Sequence, residues 1–230
     1  MASRLGQRLG HRIALSLIAL VLGFGLGLVM LGLSPVVAGV CPGCFGFKKI
    51  APEVYSELTG PTTSDEMLRR LVFAEARVEA AFGPQERPRM LICYTETCNK
   101  VMGGMEVRAM AYGSHLFYLT PKGHDTEIIA HELTHVALHR QIGLKAQARF
   151  PAWVDEGIAT YVSRDPRFDL NPESCDPGQG ALPEKAHDWR HSMGARDASF
   201  YAEAGCRVAR WLKAHPVSGI EGLVGAYVPE

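Results

Sequence analysis

The sequence predicts an α+β domain. Three observations carry that expectation: an amphipathic helical stretch after residue 63, short strand-like runs between about 88 and 121, and helical periodicity from about 126 onward. Strands on one side and helices on the other are the expected layers. In "SDEMLRRLVFAEARVEAAFG" (64–83), Ser64 is a suitable N-cap, acids fill the first turn and Gly83 closes the far end. Met67, Leu71, Phe73, Ala74, Val78 and Phe82 recur there at helical spacing. "RPRMLICYT" reads as a strand, and "VRAMAYGSHLFYLTP" as two strand-like runs around a "YGSH" turn. Helices are expected at about 126–141, from Pro151 through "PAWVDEGIATYVS", over "ASFYAEAGCRVARWLKAH", and at 217–226. A loop rich in Asp, Pro and Gly joins 164 to 197.

The first forty residues have a different texture. Residues 13–40 carry no charge, and Arg4, Arg8 and Arg12 precede them. About 20 apolar residues span a bilayer core as a helix, so a transmembrane helix is expected at about 13–35. An uncleaved signal anchor is favoured over a signal peptide removed near Val36 and Ala38, because the run exceeds the usual length of a signal h-region. The lipid bilayer is then a partner, and the arginines place everything after residue 40 on the extracytoplasmic side. Secretion after cleavage is the alternative.

Residues 41–63 read as a Cys/Gly/Pro-rich connector with one short strand near Val54 and Tyr55, and 64–230 as the main domain. Six cysteines beyond an export signal point to disulfides. Local pairing would join Cys41 to Cys44, Cys93 to Cys98 and Cys175 to Cys206, although six cysteines allow fifteen pairings. "CPGC" has no βαβ pattern behind it, which favours a structural pair over a redox centre. Formal net charge is zero, so nothing points to nucleic acid as a partner.

The chemistry concentrates in "IIAHELTHVALH" (128–139). Side chains four apart project from the same helix face, so His131 and His135 can each give an imidazole nitrogen to one metal ion. Glu132 lies about 100° further round. It can reach a water on that metal without being a ligand, which is the H-E-x-x-H arrangement of two ligands and a general base. The flanking Ile128, Ile129, Ala130, Leu133, Val136 and Ala137 are uncharged, as a buried ligand helix requires.

A catalytic zinc site takes three protein ligands and keeps a position open. The metzincin extension fails, since Leu138 and Gln141 stand where Gly and His are needed. His139 lies a turn beyond His135, away from the pair, and reads as a flanking residue. Glu156 is the better third ligand, because a short loop folds its helix back on the first. Asp155 is the runner-up.

"AHELTHV" followed by "PAWVDEGIATYV" resembles the gluzincin metallopeptidases, in particular the peptidase MA-like members, whose second motif is W-x-x-E-G-x-A. Here that motif is Trp153, Glu156, Gly157 and Ala159. The resemblance covers roughly residues 85–215. It implies a zincin-like domain, a small mixed sheet followed by the H-E-x-x-H helix and C-terminal helices. It also implies Zn²⁺ on His131, His135 and Glu156, with Glu132 as the base that activates the zinc-bound water. Zinc-dependent hydrolysis of a peptide or protein substrate is the implied activity, and a non-catalytic binding domain of the same fold is the alternative. Some gluzincins place a supporting acid four residues after the third ligand; Thr160 stands there, so support must come from elsewhere. Related enzymes hold the oxyanion with a Tyr or His from later helices. Tyr201 is the first candidate, although its apolar stripe with Ala204, Val208, Trp211 and Leu212 fits core packing equally well; Tyr161, His187 and His191 follow. An edge strand near the site often pairs with substrate in such enzymes, and residues 114–119 or the neighbouring strand are the candidates.

Overall fold

The computed structural model describes residues 33–193 and 199–228, together with Gly23 and Gly27. The helix expected at about 13–35 lies almost wholly outside the described residues. Among the described residues, no helix is long and apolar enough to cross a membrane.

A five-stranded mixed sheet organises the domain. Its strands are β1 (Lys48–Ala51), β2 (Val54–Ser56), β3 (Arg89–Ile92), β4 (Ala109–Tyr112) and β5 (Leu116–Leu119), in the order β1-β2-β3-β5-β4. β3 runs parallel to β2 and β5, and the two outer pairs are antiparallel. The β4–β5 hairpin turns through "GSH", with Gly113 at φ 62°, inside the expected "YGSH" turn. The candidate strand at 114–119 is therefore interior, and its neighbour β4 is an edge.

Successive strand side chains face opposite ways. Met90, Ile92, Phe117 and Leu119 enter the main core, while Leu91, Cys93, Leu116 and Tyr118 enter a second cluster on the far face. Both faces are buried, which explains why "MLIC" and "LFYL" are continuous apolar runs. Helices α2 (Pro61–Phe82), α4 (Thr126–Gln147), α5 (Ala152–Ser163) and α8 (Gly219–Tyr227) supply the main core. The far face is covered by α1 (Ser34–Val40), by a 3₁₀ turn at Pro42–Phe45, and by the end of α3 (Glu96–Val101). The strands-then-helices layering thus gains a third layer. Part of it comes from the segment read as connector, which carries two strands. Ala38 is fully buried, and Arg89 Nη1 donates to Gly39 O at 2.7 Å.

Helix α2 starts at Pro61 with Gly60 as N-cap, three residues before Ser64, because Pro is well suited to the first helical position. Met67, Leu71, Ala74 and Val78 make its buried stripe; Phe73 faces solvent instead. The loop from 164 to 197 carries an unexpected helix, α6 (Ala186–Met193), before α7 (Ser199–Ala214). Three disulfides join Cys41 to Cys44, Cys93 to Cys98 and Cys175 to Cys206, the local pairing. The last ties the long loop to α7, where Arg207 Nε and Arg210 Nη2 donate to Pro177 O and Cys175 O.

Candidate metal centre

Helix α4 is buried nearly all round from Ile129 to Leu138, because it lies between the sheet, α2 and α5. It carries His131, Glu132 and His135 beside Asp155 and Glu156 of α5, with His131 also against Tyr201 of α7. Helix α5 follows after a short loop from Ala148 to Pro151 and returns against α4. Val154, Ile158 and Val162 of α5 face the core at helical spacing, and this fixes the rotation that aims Asp155 and Glu156 at the histidines.

The donor atoms converge. His131 Nε2 is 3.1 Å from His135 Nε2 and 3.1 Å from Glu156 Oε2, and His135 Nε2 is 3.6 Å from Glu156 Oε2. A tetrahedral ion with ligand bonds of about 2.0–2.1 Å requires donors about 3.3 Å apart. The observed triangle brackets that value. Two imidazoles and a carboxylate are also a donor set known for catalytic zinc. His131, His135 and Glu156 can therefore hold a metal ion.

Glu132 stays outside the triangle. It is buried, and burial raises its carboxyl pKa against the pull of the two histidines. It accepts a backbone hydrogen bond from Ala111 on the edge strand β4. For Glu156, burial opposes the charged form, but His135 and His131 outweigh it and bring the carboxyl down to about 2. Asp155 is held well below the carboxylate range: His135 and His139 overcome the cost of burial.

Asp155, rather than Thr160, stands behind the candidate ligand His135. Its Oδ1 lies 2.6 Å from His135 Nδ1, on the far side of the ring from the donor triangle. His139, read from sequence as a flanking residue, meets Asp155 Oδ2 at 2.8 Å. The signal that could have found it was spacing: His139 continues the His131–His135 face by one more turn. Thr160 is buried where α5 crosses α7, its methyl beside Gly205.

Tyr201 lies beside the site, with its ring centroid 5.7 Å from that of His131 in an edge-to-face arrangement. Burial, then the charges of Glu156 and Glu132, push its hydroxyl pKa far up, so it remains a proton donor. Trp189 and Phe168 flank it. The other candidates stand apart from this arrangement. Tyr161 packs on the main core and lines a groove with Leu212 and Ile220 that contains none of the site residues. His187 is exposed, with Nδ1 3.2 Å from the Asp188 carboxylate. The side chain of His191 is outside those described.

Comparison with protein-family models, with curated proteins and with solved structures gives no match.

Proposed function

We propose that this protein is a zinc-dependent peptidase of gluzincin type. It works on the extracytoplasmic side of a membrane and is held there by its N-terminal helix. The carrying observation is the donor triangle of His131, His135 and Glu156 with Glu132 beside it and outside it. Zinc in such a site acts as a Lewis acid and makes water a nucleophile near neutral pH. Glu132 takes the proton of the attacking water and passes it to the leaving amine; burial, which raises its pKa, suits that exchange. Tyr201 donates a hydrogen bond from its hydroxyl to the oxygen that gains charge during attack, and keeps its proton. An extended peptide adding to the open edge of β4 runs past Ala111, next to the base. Three disulfides accord with an oxidising compartment.

The test uses the full chain in detergent. It is expected to carry about one zinc per chain by elemental analysis, following the single-site reading, and to cleave an unstructured protein. Glu132→Gln is expected to keep the zinc and to lose cleavage by at least about 10²–10⁴-fold, the general-base contribution. Equal cleavage by both proteins refutes the proposed base. Zinc binding without any cleavage in the wild type favours the non-catalytic binding domain.

A further inference from the structure

We infer that Gln147, His139 and Asp155 form a hydrogen-bond relay that locks the ligand His135 in a single tautomer, and that the kink at Gly143 closes this relay. The inference rests on the metal-site reading above and names the residues that position its central ligand.

With Gln147 donating through its amide nitrogen and both rings neutral, the donors and acceptors follow in one order. Gln147 Nε2 lies 3.0 Å from His139 Nδ1. An amide nitrogen only donates, so Nδ1 accepts, and the neutral ring carries its proton on Nε2. That Nε2 lies 2.8 Å from Asp155 Oδ2 and donates to it. An ionised carboxylate only accepts, so its other oxygen, 2.6 Å from His135 Nδ1, takes the proton of that nitrogen. When its ring is neutral, His135 then has a bare Nε2, the atom 3.1 Å from His131 Nε2 and 3.6 Å from Glu156 Oε2. Each link dictates the next, and the outcome is the tautomer a metal needs. The three inner groups are sheltered, with side-chain exposures of 10% for His135, 20% for Asp155 and 10% for His139.

Gly143 explains how the outer link forms. Residues eight apart in a straight helix stand about 12 Å apart along its axis, yet Gln147 touches His139. Midway between them Gly143 adopts φ 74° and ψ 163°, outside the helical region. No atom lies within 4 Å of where a Cβ would stand. The demand for glycine at 143 is therefore conformational: an L side chain is strained at this φ and ψ, whereas glycine is not. The break turns the last residues of α4 back, and Gln147 meets the histidine one turn past the ligand.

Histidine tautomers are read from long-range ¹H–¹⁵N correlations of the imidazole rings, on the full chain in detergent without metal. Zinc affinity is measured separately by competition with a chromophoric chelator. The expected spectra show His135 protonated on Nδ1 and His139 on Nε2. Asp155→Asn is expected to weaken zinc binding about 10–100-fold, the usual effect of removing such a partner. His139→Phe and Gly143→Ala are expected to weaken it a few-fold, with the far-ultraviolet circular dichroism of the wild type. Gln147→Glu replaces the donor by an acceptor, so a proton is expected on His139 Nδ1. A His135 ring that carries no proton on Nδ1 overturns the relay. So does a folded Asp155→Asn protein whose zinc affinity lies within twofold of wild type. A wild type with both expected tautomers and no zinc binding instead refutes the metal site, and with it the relay's role in holding a ligand.

Discussion

A methyl group at Gly157 is predicted to loosen both the fold and the metal centre. Gly157 follows the candidate ligand Glu156 and sits where α5 crosses α7. A Cβ there would stand 2.7 Å from Ala204 O, 2.9 Å from Val208 Cγ2 and 3.0 Å from Ala204 C. Two of these obstacles are helix backbone and cannot rotate aside, so α5 and α7 must separate. Overpacking of this kind costs about 1–3 kcal/mol, and the better helix propensity of alanine offsets about 1 kcal/mol of it. Because backbone is what must yield, the expected net loss is about 1–2 kcal/mol. At roughly 2–4 °C per kcal/mol for a chain of this size, Tm falls by about 2–8 °C. Gly225, in α8, is the control, since no atom lies within 4 Å of its Cβ position. Gly225→Ala gains only propensity and is expected to raise stability by up to ~1 kcal/mol. Thermal unfolding of the full chain, followed by circular dichroism without metal, compares the two. Zinc affinity of Gly157→Ala should also fall, because the same displacement carries Glu156 away from His131 and His135. A Gly157→Ala protein stabilised as much as Gly225→Ala would refute the close crossing.

Tyr201→Phe should keep zinc and substrate affinity and lower kcat about 10²–10³-fold, the effect of losing one oxyanion donor; an unchanged kcat leaves Tyr201 a packing residue. Replacing Cys175 and Cys206 together by serine opens a loop closed over a sequence separation of 31 residues. Chain entropy puts that loss at about 3–4 kcal/mol in urea unfolding, and a change below about 1 kcal/mol contradicts the stabilising role expected on that basis. Stability should also fall in mild acid on account of His124. Burial lowers its pKa from 6.5, in part offset by its hydrogen bond to Cys93 O. The unfolded chain therefore takes the proton first as pH drops, so the contribution is complete above about 6.5 and is lost as pH falls toward the depressed folded value. His124→Gln should show a smaller loss of Tm between neutral pH and pH 5.5; an equal loss places the acid sensitivity elsewhere.

Much of this protein is legible in its sequence, for local reasons. His131 and His135 share a face because they are four apart on one helix, and the uncharged residues around them mark that helix as buried. The order of helix, strands and helices follows from periodicity, and the β4–β5 turn from "YGSH". Each of the three disulfides joins cysteines consecutive along the chain, although that order alone did not decide among fifteen pairings.

Tertiary packing decided the rest. Asp155 and Glu156 are adjacent in sequence and point in different directions, so which one faces the triangle depends on the rotation of α5. That rotation is set by Val154, Ile158 and Val162 in the core and by Gly157 against α7. His139 became part of the centre only because Asp155 lies across from it and because Gly143 turns Gln147 back toward it. The apolar runs around Leu91 and Tyr118 gave no sign that α1, the 3₁₀ turn and α3 would cover their outer face. Periodicity reports which face of an element is apolar; which other element meets that face, and at what rotation, is settled only when distant segments pack.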